Sequence, residues 1–200
     1  ALNISSISAE EAPRLRPFMA LIDKLGAFAG QIADEGLEAV EIEYEGDVAR
    51  LNTQPLTAIG LASVLRPLMP DVNMVSAPSV LKQKGTPLTE SRRDQSPVYG
   101  SLIRIRVRTG GGWRTLAGAV NAGAPKIVEV KGMALEADFH PVMLFINNLD
   151  KPGFIGALGS AEEQRRGQAG LVAAHPDGVD PDAHRGGGIG RGQRLQFPGV

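Results

Sequence analysis

Ser101-Leu102-Ile103-Arg104-Ile105-Arg106-Val107-Arg108 alternates apolar and cationic side chains with a period of two, and that alternation decides the fold. Successive side chains of a strand point to opposite faces, so Ile103, Ile105 and Val107 share one face and Arg104, Arg106 and Arg108 share the other. A sheet with one dry and one charged face is covered on a single side, as antiparallel sheets commonly are. Further upstream, Val40, Ile42 and Tyr44 alternate with Glu41, Glu43 and Glu45, the same pattern with the opposite charge. An acidic strand and a basic strand on one solvated face suit each other as neighbours.

Working outward, strand candidates continue at 113–120, 127–130 and 133–137, joined by Gly110-Gly111-Gly112, by residues 121–125 and by a Lys131-Gly132 turn. Residues 86–100 read as a strand and a loop. Helices flank this sheet. Ser8-Ala9-Glu10-Glu11 has the form of a capping box, and Leu15, Phe18, Met19, Ile22, Leu25, Phe28 and Ile32 follow as a helical stripe that reads as core. Pro13 and Pro17 are expected to divide a first turn from the main helix. Thr53 is expected to cap a second helix carrying Leu56, Ile59, Leu61, Val64 and Leu65, stopped near Pro67, and a short third helix runs from about Ala77 to Gly85.

The chain has 200 residues, a net charge of −1 and 42% apolar residues, enough to bury a core without a basic field that would attract nucleic acid. It has no cysteine, which excludes disulfides and thiolate zinc sites and fits a reducing cytoplasm. No apolar run approaches the roughly 18 residues of a membrane span. His140, His175 and His184 are far apart, so no metal site is expected. Gly188-Ile189-Gly190-Arg191-Gly192 lacks the preceding strand and following helix of a dinucleotide loop. No residue is assigned a catalytic role.

Val142 to Ile146 is apolar on both faces, and the chain then enters Asn147-Asn148-Leu149-Asp150-Lys151-Pro152-Gly153-Phe154-Ile155-Gly156-Ala157-Leu158-Gly159. This reads as a strand, a polar turn and a helix start. Pro152 suits a first helical turn, Gly153 lets backbone approach a ligand, and free N–H groups there would meet a carboxylate. After Ser160 the composition shifts to Gly, Arg, Pro, Asp and Gln with no sustained periodicity, so residues 160–200 are expected to be a disordered tail. A shifted reading frame in GC-rich DNA is one cause of such composition.

The segment from Asn148 to Gly159 resembles the start of an ACT domain, the small βαββαβ module that binds amino acids. Ala1-Leu2-Asn3 with Ser8 to Pro13, Ile42 to Gly46, Leu51-Asn52-Thr53-Gln54-Pro55-Leu56-Thr57, Val72 to Pro78, Ser101 to Arg108 and Lys126 to Gly132 resemble the C-terminal part of the long-form D-3-phosphoglycerate dehydrogenase family. The likeness runs from residue 1 to about 159. It implies an α/β fold of the α+β kind: a mixed or antiparallel sheet with flanking helices, then a truncated ACT-type βα unit. It divides the chain into a connecting helix (1–35), a domain like the allosteric substrate-binding domain (36–139), the start of ACT (140–159) and the tail. Ala1 would begin a piece of a longer protein, just after its catalytic fold.

In that family a nicotinamide cofactor, NAD, and the catalytic residues lie in segments with no counterpart here, so this chain alone is expected to be inactive and to carry no cofactor. The resemblance implies L-serine as an effector, with Asn148, Asp150, Pro152 and Gly153 at the turn, Asp150 taking the ammonium group. By chemistry alone the same turn is a helix cap. It also implies a phosphorylated acid meeting Lys126 with one or more of Arg104, Arg106 and Arg108 in charge-assisted hydrogen bonds. A solvated face paired with Glu41, Glu43 and Glu45 fits those arginines too. Homo-oligomers follow from the resemblance, whereas the expected cytoplasmic location and the absence of nucleic-acid and membrane partners follow from the charge, the lack of cysteine and the lack of a long apolar run. The alternatives are a stand-alone small-molecule sensor and the regulatory subunit of an iron–sulfur L-serine dehydratase.

Overall fold

The computed structural model describes residues 10–33, 36–96, 98–147, 169–174 and 192–197. They fall into two compact units, 1–137 and 138–200.

In the first unit, six strands form one sheet: β1 (Ala39–Gly46), β2 (Leu88–Arg93), β3 (Ser101–Thr109), β4 (Gly112–Asn121), β5 (Ala124–Val130) and β6 (Met133–Asp138), in the order β2-β1-β3-β4-β5-β6. The β1–β2 pairing is parallel, while β1–β3, β3–β4 and β4–β5 are antiparallel, so the sheet is mixed as expected. Two of its hairpins, β4–β5 and β5–β6, close on two-residue turns, Ala122-Gly123 and Lys131-Gly132, with positive φ at both residues (49° and 80°; 53° and 83°). That geometry matches the strand twist, and glycine enters it without a Cβ clash.

Three helices, α1 (Ala12–Gln31), α2 (Gln54–Leu65) and α3 (Ala77–Gln83), complete the unit. The apolar stripe of α1 supplies Leu15, Ile22, Leu25 and Phe28 to the core, whereas Phe18 and Met19 are only half-buried. From the strands come Val40, Ile42, Tyr44, Ile103, Ile105, Val107 and Leu116. Helix α2 is buried on nearly every side, which is why its sequence is apolar all round rather than striped.

Two details depart from the sequence expectation. Pro17 does not divide α1; the helix is continuous from Ala12 to Gln31 with Pro17 inside it. The carbonyl that Pro17 leaves without a donor belongs to Pro13, in the first turn, where it disturbs little of the ladder. Thr53 occupies the N-cap position of α2 but makes no capping bond. Its backbone is helical (φ −82°, ψ −10°), which turns the hydroxyl away from the N–H groups it would cap; Asn52 Oδ1 accepts from the Gln54 N–H at 3.3 Å instead. Ser8 of the expected capping box lies outside the described residues, and Glu11, at the N-cap of α1, makes no side-chain cap bond.

In the second unit β7 (Val142–Asn147) runs between β8 (Ala169–Ala174), parallel to it, and β9 (Gly192–Gln196), antiparallel. Met143, Phe145, Leu195 and Phe197 are buried, and the rings of Phe139 and Phe197 meet edge-to-face at 5.5 Å. The sequence reading assigns no strand beyond Gly159, because Ala-Gly-Leu-Val-Ala-Ala and Gly-Gln-Arg-Leu-Gln have little β-branched or aromatic content. Their strand pairing comes from β7. The rest of the expected tail (160–168, 175–191 and 198–200) lies outside the described residues, as does the helix start after β7.

Candidate binding site on the open sheet face

The helices cover one face of the six-stranded sheet, and the other face carries the charges. Register sets Arg104 opposite Glu43 and Arg106 opposite Glu41 across β1 and β3. Arg104 Nη1 donates to Glu43 Oε2 and Glu45 Oε1, both at 2.7 Å, and its Nη2 donates to Glu129 Oε2 at 3.2 Å. Burial by itself would lower the pKa of Arg104, but these carboxylates outweigh it and push the group further above its ordinary value. Arg106 donates to Glu41 Oε2 at 2.7 Å and lies 4.7 Å from the centre of the Trp113 ring. Arg108 Nε sits 3.4 Å from Glu38 Oε2, and Arg93 Nε 2.7 Å from Glu43 Oε1.

Every one of the three arginines named as an anion contact therefore has a carboxylate partner: Arg104 and Arg106 on the acidic strand, as alternation also allowed, and Arg108 at Glu38 just before it. A cleft of about 150 Å³ between β2, β1 and β3 is walled by Glu41, Glu43, Arg93, Arg104 and Arg106, all of them paired with one another.

Lys126 lies elsewhere on the same face. The β4–β5 register shifts between Ala117 and Gly118, so that Glu129 stands opposite Ala117 and Ile127 opposite Gly118, leaving Val128 as the extra residue of a bulge. The bulge lets Ile127 stay in the helix-covered core while Val128 joins Leu102, Ala117 and Ala119 in a small apolar cluster against Tyr99. Beside that cluster opens a cleft of about 270 Å³ lined by Lys126, Tyr99, Val98, Asn121, Val128 and Glu136. Lys126 is half-buried there, and Val98 is 80% exposed at its rim. Lys131, at the hairpin beyond β5, has its pKa lowered, first by burial and then by Arg114, and it does not line this cleft.

Arg104 and Arg106 thus line one cleft and Lys126 another, and Arg108 lines neither. Sequence reading missed Tyr99, Asn121 and Glu136. Parity along the last strand could have offered Glu136, but the bulge that sets which β5 residues share its face has no signature in Ile127-Val128-Glu129. Asn148, Asp150, Pro152 and Gly153 lie outside the described residues.

A family model described as the D-3-phosphoglycerate dehydrogenase intervening domain matches residues 14–131. D-3-phosphoglycerate dehydrogenase of Methanocaldococcus jannaschii is 31% identical over 160 residues, 78% of this chain and 30% of the relative. That of Bacillus subtilis is 28% identical over 163 residues, 80% of this chain and 31% of the relative. That of Mycobacterium tuberculosis is 26% identical over 148 residues, 72% of this chain and 28% of the relative. The chain spans about 30% of the length of these relatives. Because that match spans more than half of the chain and takes in strands β1 to β5, the chain belongs to the D-3-phosphoglycerate dehydrogenase intervening-domain family.

Proposed function

We propose that this chain is a regulatory part of a D-3-phosphoglycerate dehydrogenase, the NAD-dependent enzyme that oxidises 3-phosphoglycerate at the start of L-serine synthesis, and that its intervening domain senses a small acid in the cleft at Lys126. The carrying observation is that Lys126, half-buried between Asn121 and Val128, is a cation held in a concave, partly apolar site on the open sheet face. Arg104, Arg106 and Arg108 support the site indirectly, by fixing the strands through their glutamates. In this reading 36–139 is the sensing domain, 1–35 leads in from the substrate-binding domain, and 140–159 begins an ACT module whose Asn148-to-Gly153 turn receives L-serine. Catalysis and NAD belong to other segments of a cytoplasmic homo-oligomer.

One experiment tests both halves of the proposal. Purified chain with NAD and 3-phosphoglycerate gives no NADH above a blank, yet 3-phosphoglycerate raises its melting temperature by mass action. Lys126→Met removes most of that rise, and added salt reduces it, because the attraction is Coulombic. Turnover by the chain would refute the regulatory assignment. An unchanged rise in Lys126→Met would refute the site.

A further inference from the structure

We propose that the cleft at Lys126 selects a zwitterionic ligand, one that carries an ammonium group beside its acidic group, with Glu136 receiving the ammonium. The inference rests on Lys126 being the anion contact and adds the class of molecule that the site prefers.

Two charged side chains line this cleft, Lys126 from β5 and Glu136 from β6, with opposite signs. No further positive charge comes from the arginines of the same face. Arg104, Arg106 and Arg108 are engaged by Glu38, Glu41, Glu43, Glu45 and Glu129. Glu136 itself is exposed and has no ion-pair partner among the described residues. A ligand with negative charge alone meets one attractive and one repulsive neighbour. Placing an ammonium group on the ligand turns the second contact from repulsion into attraction.

Size and lining agree. About 270 Å³ lies below the roughly 300 to 1,000 Å³ of pockets that take drug-sized ligands, so the site suits a molecule of amino-acid dimensions. Ala119 and Val128 provide an apolar floor that excludes water from one side of the ligand, and the Asn121 amide and Tyr99 hydroxyl provide neutral hydrogen-bonding groups. The chemistry is that of a small amino acid bearing an additional acidic group, or of one whose own carboxylate meets Lys126.

Calorimetric titration with O-phosphoserine and 3-phosphoglycerate tests this, since the two probes differ at the second carbon, ammonium in one and hydroxyl in the other. The unchanged protein is expected to bind O-phosphoserine about fivefold more tightly, the scale of one partly exposed charge pair. Glu136→Gln should bring the ratio close to one, with an unchanged melting temperature showing that the fold is intact. Lys126→Met should weaken both probes alike. Equal affinity for the two probes in the unchanged protein overturns the role of Glu136 while leaving the anion contact standing. Failure of both probes to bind overturns the anion contact itself, and the zwitterion selection with it.

Discussion

Tyr44 shows how one residue links the core to the sheet edge. It is fully buried, its hydroxyl lies 2.8 Å from Thr57 Oγ1, and the Thr57 hydroxyl in turn donates to Glu90 on β2. Burial pushes the ionisation of Tyr44 well above its ordinary value of 10.0, an effect that the bond to Thr57 only partly offsets. A pKa raised in the folded state favours the protonated native form. The associated stability is therefore complete below pH 10 and falls above it, by about 1.4 kcal/mol per pH unit as the unfolded chain ionises. In Tyr44→Phe, urea unfolding should show a loss of about 1 kcal/mol at pH 7 for the missing hydrogen bond, and a shallower decline above pH 10. An identical alkaline slope in both proteins would remove Tyr44 as its cause. The burial of Tyr44 was legible from its place in the Val40, Ile42, Tyr44 alternation. Its partner was not, because Thr57 lies on a helix whose rotation is set by packing.

At the scale of elements, the contact between α1 and α2 depends on the absence of side chains. A Cβ added at Gly26 would stand 2.6 Å from the Gly60 carbonyl oxygen and 2.9 Å from Ser63 Cβ, and one at Gly30 would press on the backbone of Val64. Because backbone cannot swing aside as a flexible side chain can, Gly26→Ala should destabilise the protein by about 3 kcal/mol despite the better helix propensity of alanine. Chemical denaturation measures this; a neutral or stabilised variant would mean that the helices can separate at little cost. Across the same interface the Ser63 hydroxyl donates to Asp23, which also lies 3.6 Å from Arg66. The position of α1 was readable from its 3.6-residue stripe, and that of α2 from its apolar positions Leu56 to Leu65 and the stop near Pro67. The need for glycine at positions 26, 30 and 60 has no local signature, since the atoms that a Cβ would meet belong to the facing helix, Gly60 for Gly26, Val64 for Gly30 and Ile22 for Gly60.

For the whole molecule, division into units of 1–137 and 138–200 implies that the first can fold without the second, since its core is complete in itself. A protein ending at Ala137 should unfold cooperatively and keep the 3-phosphoglycerate response of Lys126, as followed by calorimetry; loss of the cooperative transition would show that strands after Asp138 are required. The sequence by itself determined the order of elements in the first unit, the covered and open faces of its sheet, and the family, because a period of two or of 3.6 is a local property that each segment carries alone. Only the tertiary structure decided which charges meet. Arg104 reaches Glu43, Glu45 and Glu129 from two neighbouring strands, and the bulge at Val128 turns Lys126 onto the same open face, opposite Ala119, where it lines a different cleft from Arg104 and Arg106. Registers and bulges are fixed by packing between segments distant in the chain, so the same alternation that announces a charged face leaves open whether that face binds a ligand or itself.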